Sequence, residues 1–130
     1  MNQGPGPDGV CRFKDTAQAA GVTQPQNSFP CWMWDYDNDG WLDLFVSAFP
    51  RQADTKPCGY YSAAYYLGLP NTCETPMLYR NKGNGTFEDM SKSAGLDRPI
   101  VAMGSNFGDL DNDGSLDMYL GTGEPDLRSL

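Results

Sequence analysis

This sequence has no histidine, and its four cysteines (Cys11, Cys31, Cys58, Cys73) include no C-x-x-C pair. The first absence removes the imidazole that a serine or cysteine nucleophile ordinarily uses as its base. Together they remove the common zinc and dithiol sites. Basic residues are few, nine Lys and Arg against seventeen Asp and Glu. They form no patch, so nucleic acid is not an expected partner. No stretch approaches the ~20 consecutive apolar residues of a membrane span. The opening "MNQGPGPDGV" lacks the apolar middle of a signal peptide, and residues 1–10 read as a flexible segment.

Gly and Pro are plentiful, fifteen and ten among 130 residues. That many turn formers suit short strands better than long helices, and the expected fold class is all-β. An even cysteine count suits disulfides in an oxidising compartment, with Cys58–Cys73 the favoured pairing and four free thiols the alternative. The net charge of −8 is concentrated in "DYDNDGWLD" (35–43) and "DLDNDGSLD" (109–117), which hold eight of the seventeen acidic residues. The other nine balance the nine basic residues.

These two stretches belong to a longer internal repeat. At an offset of 74, residues 13–52 align without gaps onto 87–126 with twelve identities. Phe13 and Asp15 match Phe87 and Asp89, Ala20-Gly21 match Ala94-Gly95, Pro25 matches Pro99, and seven of nine positions agree in the aspartate stretch. Such clustering marks a repeated structural unit. Leu44–Phe49 behind the first stretch is aromatic and β-branched and reads as a strand. Met77–Arg80 and Thr86-Phe87 flank "NKGNG", whose Asn84-Gly85 signals a hairpin. "WMW" and "SNFG" are strand ends, so each aspartate stretch is a loop joining two strands.

Carboxylates at positions 1, 3 and 5 of a tight loop converge. Like charges a few ångströms apart repel by about 1 kcal/mol per pair even in water, so the folded loop calls for a cation. Calcium, which takes roughly six to eight oxygen ligands in flexible geometry, suits this donor set better than magnesium. Gly40 and Gly114 at position 6 permit the sharp turn. The position-7 carbonyls of Trp41 and Ser115 are expected to point inward, and Asp43 and Asp117 at position 9 to close the shell. Leu42 and Leu116 at position 8 should turn away and anchor the loops in the core.

An EF-hand begins the same way but needs a Glu at position 12, where this chain has Val46 and Leu120. A metal-free acidic turn is the plain alternative, since Asp, Asn and Gly are turn residues in any case. It does not account for the position-9 Asp. A phosphotransfer aspartate pair is disfavoured by the residues preceding each loop.

The unit F-x-D…A-G-[VL]…D-x-D-N-D-G-x-L-D, with "LYRNKGNGTFEDM" between copies and Phe107-Gly108 before the second loop, resembles the FG-GAP/VCBS repeat. The resemblance covers residues 11–126 apart from an insertion at about 50–75. It implies calcium-binding hairpin loops on β-propeller blades, as in integrin α-subunits and bacterial VCBS proteins of the ASPIC/UnbV-associated type. Carried onto this chain, the metal ligands are Asp35, Asp37, Asp39, Trp41 and Asp43, then Asp109, Asp111, Asp113, Ser115 and Asp117. Residues 11–86 are the first repeat and 87–130 an incomplete second, about one and a half blades of a larger propeller. The expected cofactor is Ca²⁺ at two sites.

The expected function is a non-enzymatic, extracytoplasmic scaffold or adhesion module, located outside the cell, in a periplasm or at a cell surface. Its expected partners are further propeller repeats and a protein or glycan ligand. A glycan-binding or carbohydrate-active propeller is the alternative. Within the insertion, Tyr60, Tyr61, Tyr65 and Tyr66 crowd between two cysteines on a segment read as a short helix. They either form a binding face or cover the blade's own core. Of the tryptophans, Trp32 and Trp34 are expected to pack inside and Trp41 to be exposed.

Overall fold

The computed structural model describes residues 1–49 and 58–122, the side chain of Cys58 excepted. The Cys58–Cys73 pairing therefore lies outside the described residues, as do 50–57 of the insertion and 123–130 of the second repeat. Cys11 and Cys31 are exposed free thiols.

The chain is mostly antiparallel β-structure. Strands β1 (Asn2–Pro5) and β2 (Cys11–Phe13) form a hairpin. After a one-turn helix, α1 (Ala17–Ala20), come β3 (Ser28–Trp34) and β4 (Asp43–Ala48). Helix α2 (Cys58–Tyr66) is the short helix expected in the insertion. Strands β5 (Met77–Asn81) and β6 (Phe87–Asp89) then complete a four-stranded sheet of order β3-β4-β5-β6. The last two, β7 (Gly104–Gly108) and β8 (Asp117–Gly121), pair with each other. The opening ten residues, expected to be a flexible segment, carry β1 because a turn forms between the two strands. The Gly9 N–H reaches the Gly6 carbonyl at 2.9 Å, and Asp8 holds Arg12 at 2.6 Å.

The four-stranded sheet forms where the sequence alternates and turns. Phe45 and Ala48 of β4 are buried, as this strand lies between β3 and β5. The β5–β6 turn runs through Asn84-Gly85, with Asn81 opposite Phe87 and the Lys82 N–H on the Thr86 carbonyl at 3.0 Å. The core joins the sheet to the β7–β8 hairpin. Trp34, Phe45, Leu78 and Leu96 are its buried centre, and Phe107, Leu116, Met118 and Leu120 pack against them. Trp34 stacks on Phe107 with centroids 5.8 Å apart and meets Phe45 edge-on at 6.3 Å. Burying rings of this size is the largest apolar contribution available to so small a core.

Trp32 differs from expectation: it is 41% exposed, touching Phe107 edge-on at 5.9 Å. Alternation along β3 puts it on the same face as Trp34, where both rings meet Phe107 but only Trp34 is buried in the core. In the tyrosine cluster, Tyr61 is buried whereas Tyr60, Tyr65 and Tyr66 are exposed. One of the four thus covers the core and three face outward.

The 74-residue offset holds at atomic level outside the loops as well. Asp15 Oδ1 accepts the Ala17 N–H and Asp89 Oδ1 the Ser91 N–H, both at 2.9 Å. The following turn closes alike, with Val22 N–H on the Ala17 carbonyl at 3.0 Å and Leu96 N–H on the Ser91 carbonyl at 2.8 Å.

Candidate metal centre

Each aspartate loop closes an antiparallel pair at the same register. Trp34 lies opposite Asp43 across β3–β4, and Gly108 opposite Asp117 across β7–β8. Between these ends the two loops share torsions. Asn38 and Asn112 adopt φ of 58° and 59°, and Gly40 and Gly114 φ of 88° and 89°. Asn tolerates the left-handed region and Gly occupies it freely, which is why N-D-G recurs there.

Their hydrogen bonds repeat as well. Asp35 accepts the N–H groups of Asp39 (3.0 Å) and Gly40 (2.8 Å). Asp109 accepts those of Asp113 (3.1 Å) and Gly114 (3.0 Å). Asp39 holds the Trp41 N–H at 2.9 Å and Asp113 the Ser115 N–H at 2.7 Å. Each first aspartate winds the loop around its own carboxylate, and each third one closes the turn behind it.

The result is convergence. Asp35, Asp37 and Asp39 can each present a carboxylate oxygen within 4.8 Å of the others, and Asp109, Asp111 and Asp113 do the same. Three carboxylate oxygens converging in a largely exposed loop suit a hard cation with oxygen coordination. Asp43 and Asp117 stand apart from these triads. Asp43 is fully buried and accepts the N–H groups of Tyr36 (3.0 Å) and Asn81 (2.7 Å). Burial pushes its carboxyl above the usual carboxylate range; the two N–H bonds pull the other way, while Asp37 and Asp39 add to the push. Asp117 is half-buried and accepts the Leu110 N–H at 2.9 Å. A carboxylate oxygen has two lone pairs, so these bonds leave each position-9 oxygen able to accept a further partner.

The two loops differ in their surroundings. Arg80 of β5 lies over the first, its Nε 2.7 Å from Asp37 Oδ2 and its terminal nitrogen 3.4 Å from Asp39 Oδ2. Among the described residues no basic side chain pairs with the second loop's triad. Leu116 packs against the core as expected, but Leu42 is 55% exposed. Its carbonyl instead accepts the Asn81 side-chain amide at 2.9 Å. The last residue of β5, not a leucine anchor, holds the first loop.

Trp41 is 52% exposed and stands against the β5–β6 turn. A Cβ added at Gly83 would lie 2.8 Å from the indole Cε2, and Gly83 has φ of 71°. Gly83→Ala should therefore destabilise the protein by roughly 1–2 kcal/mol through the left-handed backbone, with a further cost for displacing the ring. Urea unfolding gives the loss, and a shift of tryptophan emission the ring's displacement.

Sheet, repeat and loops together define a β-rich repeat protein with paired acidic hairpin loops. Residues 61–120 match the model of the FG-GAP-like repeat, which is consistent with a repeat of that family. The match takes in β5 to β7 and the second loop; the first loop joins it through the 74-residue offset. No curated protein and no solved structure matches this chain. No helix among the described residues is long and apolar enough to cross a membrane.

Proposed function

We propose that this protein is a calcium-binding repeat module whose four-stranded sheet is a β-propeller blade and whose role is to scaffold or present an interaction surface outside the cytoplasm. The observation that carries the metal reading is the double occurrence of one loop conformation, each ending in a triad of converging carboxylates. In the first loop Asp35, Asp37, Asp39, the Trp41 carbonyl and Asp43 would hold one ion. In the second, Asp109, Asp111, Asp113, the Ser115 carbonyl and Asp117 would hold another. With the position-9 carboxylate counted twice, each set offers about six oxygens, the lower end of what calcium takes. The ion supplies charge neutralisation and a fixed loop, not chemistry on a substrate. The family match supports a module that works beside further repeats of its kind, with a protein or glycan as ligand.

Calorimetric titration of the chelator-treated protein with Ca²⁺ tests this. Two sites are expected, one per triad, with Asp37→Asn and Asp111→Asn each removing one. A folded protein that takes up no calcium at millimolar concentration would overturn the reading.

A further inference from the structure

The two loops share their torsions, hydrogen bonds and ligand types, but one carries a guanidinium and the other does not. We propose that Arg80 is a tethered counter-ion of the first loop, which makes that loop the weaker of two unequal calcium sites. The inference rests on the calcium reading above and adds an order of filling to it.

The tether is specific. Strand β5 is fixed to the loop next door to Arg80, because Asn81 donates its backbone N–H to Asp43 Oδ1 at 2.7 Å and its amide to the Leu42 carbonyl at 2.9 Å. With Asn81 pinned, the Arg80 side chain is delivered to the loop's rim, where it meets Asp37 and Asp39 at 2.7 and 3.4 Å. In the metal-free protein this positive charge offsets part of the repulsion within the triad. When a dication arrives, the same charge opposes it and shares the carboxylates it needs. Both effects act in one direction. A guanidinium about 5 Å from a dication in a water-like dielectric weakens binding by roughly tenfold. Asp109, Asp111 and Asp113 have no such partner among the described residues, so the second loop should fill first.

The test uses the full chain with one loop disabled at a time. Asp111→Asn with Asp113→Asn leaves the first loop, and Asp37→Asn with Asp39→Asn leaves the second. Calcium titration should show the second loop binding about tenfold more tightly than the first. Adding Arg80→Gln to the first-loop protein should close that gap and also lower the melting temperature of the chelated protein. Arg80→Lys should restore the weaker binding in part.

If these multiple variants fold poorly, terbium reports the order in the unmutated chain. Trp41 lies in the first loop where the second has Ser115, so emission that Trp41→Phe abolishes should rise only with the second equivalent. Tighter binding by the first loop, or an affinity that Arg80→Gln leaves unchanged or weakens, overturns the proposal while leaving the calcium reading intact. No uptake by either loop in a folded protein overturns both.

Discussion

Chelating calcium should lower the melting temperature of this protein by about 15–20 °C, far more than any conservative surface substitution would. A ligand that binds only the folded state adds about 2.7 kcal/mol per site at a hundredfold excess over its dissociation constant. Two such sites add about 5 kcal/mol. For a chain of this length each kcal/mol moves the transition by roughly 3–4 °C. The source of the effect is local. Each triad brings three carboxylate oxygens within 4.8 Å of one another. In the unfolded chain the same side chains separate freely, so their mutual repulsion opposes folding until an ion neutralises it. Differential scanning calorimetry with chelator, then with millimolar Ca²⁺ and with Mg²⁺, measures the difference. Magnesium should stabilise much less, because it keeps its waters and demands octahedral geometry. A shift equal for both ions would mean screening of a −8 chain rather than coordination.

Much of the architecture was legible because it was written locally. Asn84-Gly85 fixes a turn, the residues of β4 suit a central strand, and N-D-G at both loop tips matches the positive φ of Asn38, Gly40, Asn112 and Gly114. The doubled spacing of the aspartates foretold the two triads without reference to anything distant in the chain.

What escaped sequence reading depends on which strand lies alongside. Arg80 reaches a loop 41 residues earlier, a contact no local pattern announces. Leu42 and Leu116 hold equivalent positions, yet only Leu116 packs against the core. The β7–β8 hairpin rests on the sheet and carries its loop with it, whereas the first loop is held by hydrogen bonds to β5. Likewise nothing in "FPCWMW" says that Trp32 and Trp34 both meet Phe107 while only Trp34 is covered.

The two position-9 aspartates should respond very differently to removal, although the sequence writes them alike. In the metal-free protein Asp43→Ala is expected to cost about 2–4 kcal/mol and Asp117→Ala about 1 kcal/mol. Asp43 has no exposed surface and satisfies two backbone donors, one on its own loop at Tyr36 and one on the neighbouring strand at Asn81. Removing it leaves both N–H groups facing a small apolar gap, and each stranded buried donor costs about 1–3 kcal/mol. Burial also raises the carboxyl's pKa, so the charged form has paid part of its own desolvation, and removing it returns some of that cost. The lower half of the summed range is therefore the expected value. Asp117 is half-buried and accepts one donor, from Leu110, to which water can substitute. Asp43→Asn should fall between the two, because an amide can accept from one N–H but turns its own NH₂ toward the other. Urea midpoints of the chelated variants give the comparison, and equal losses at 43 and 117 would mean that the β5 contact to Asp43 contributes nothing. On the proposed calcium reading, adding the ion should then widen the gap between each variant and the parent by the contribution of one site, since position 9 would serve the fold from one side and the metal from the other.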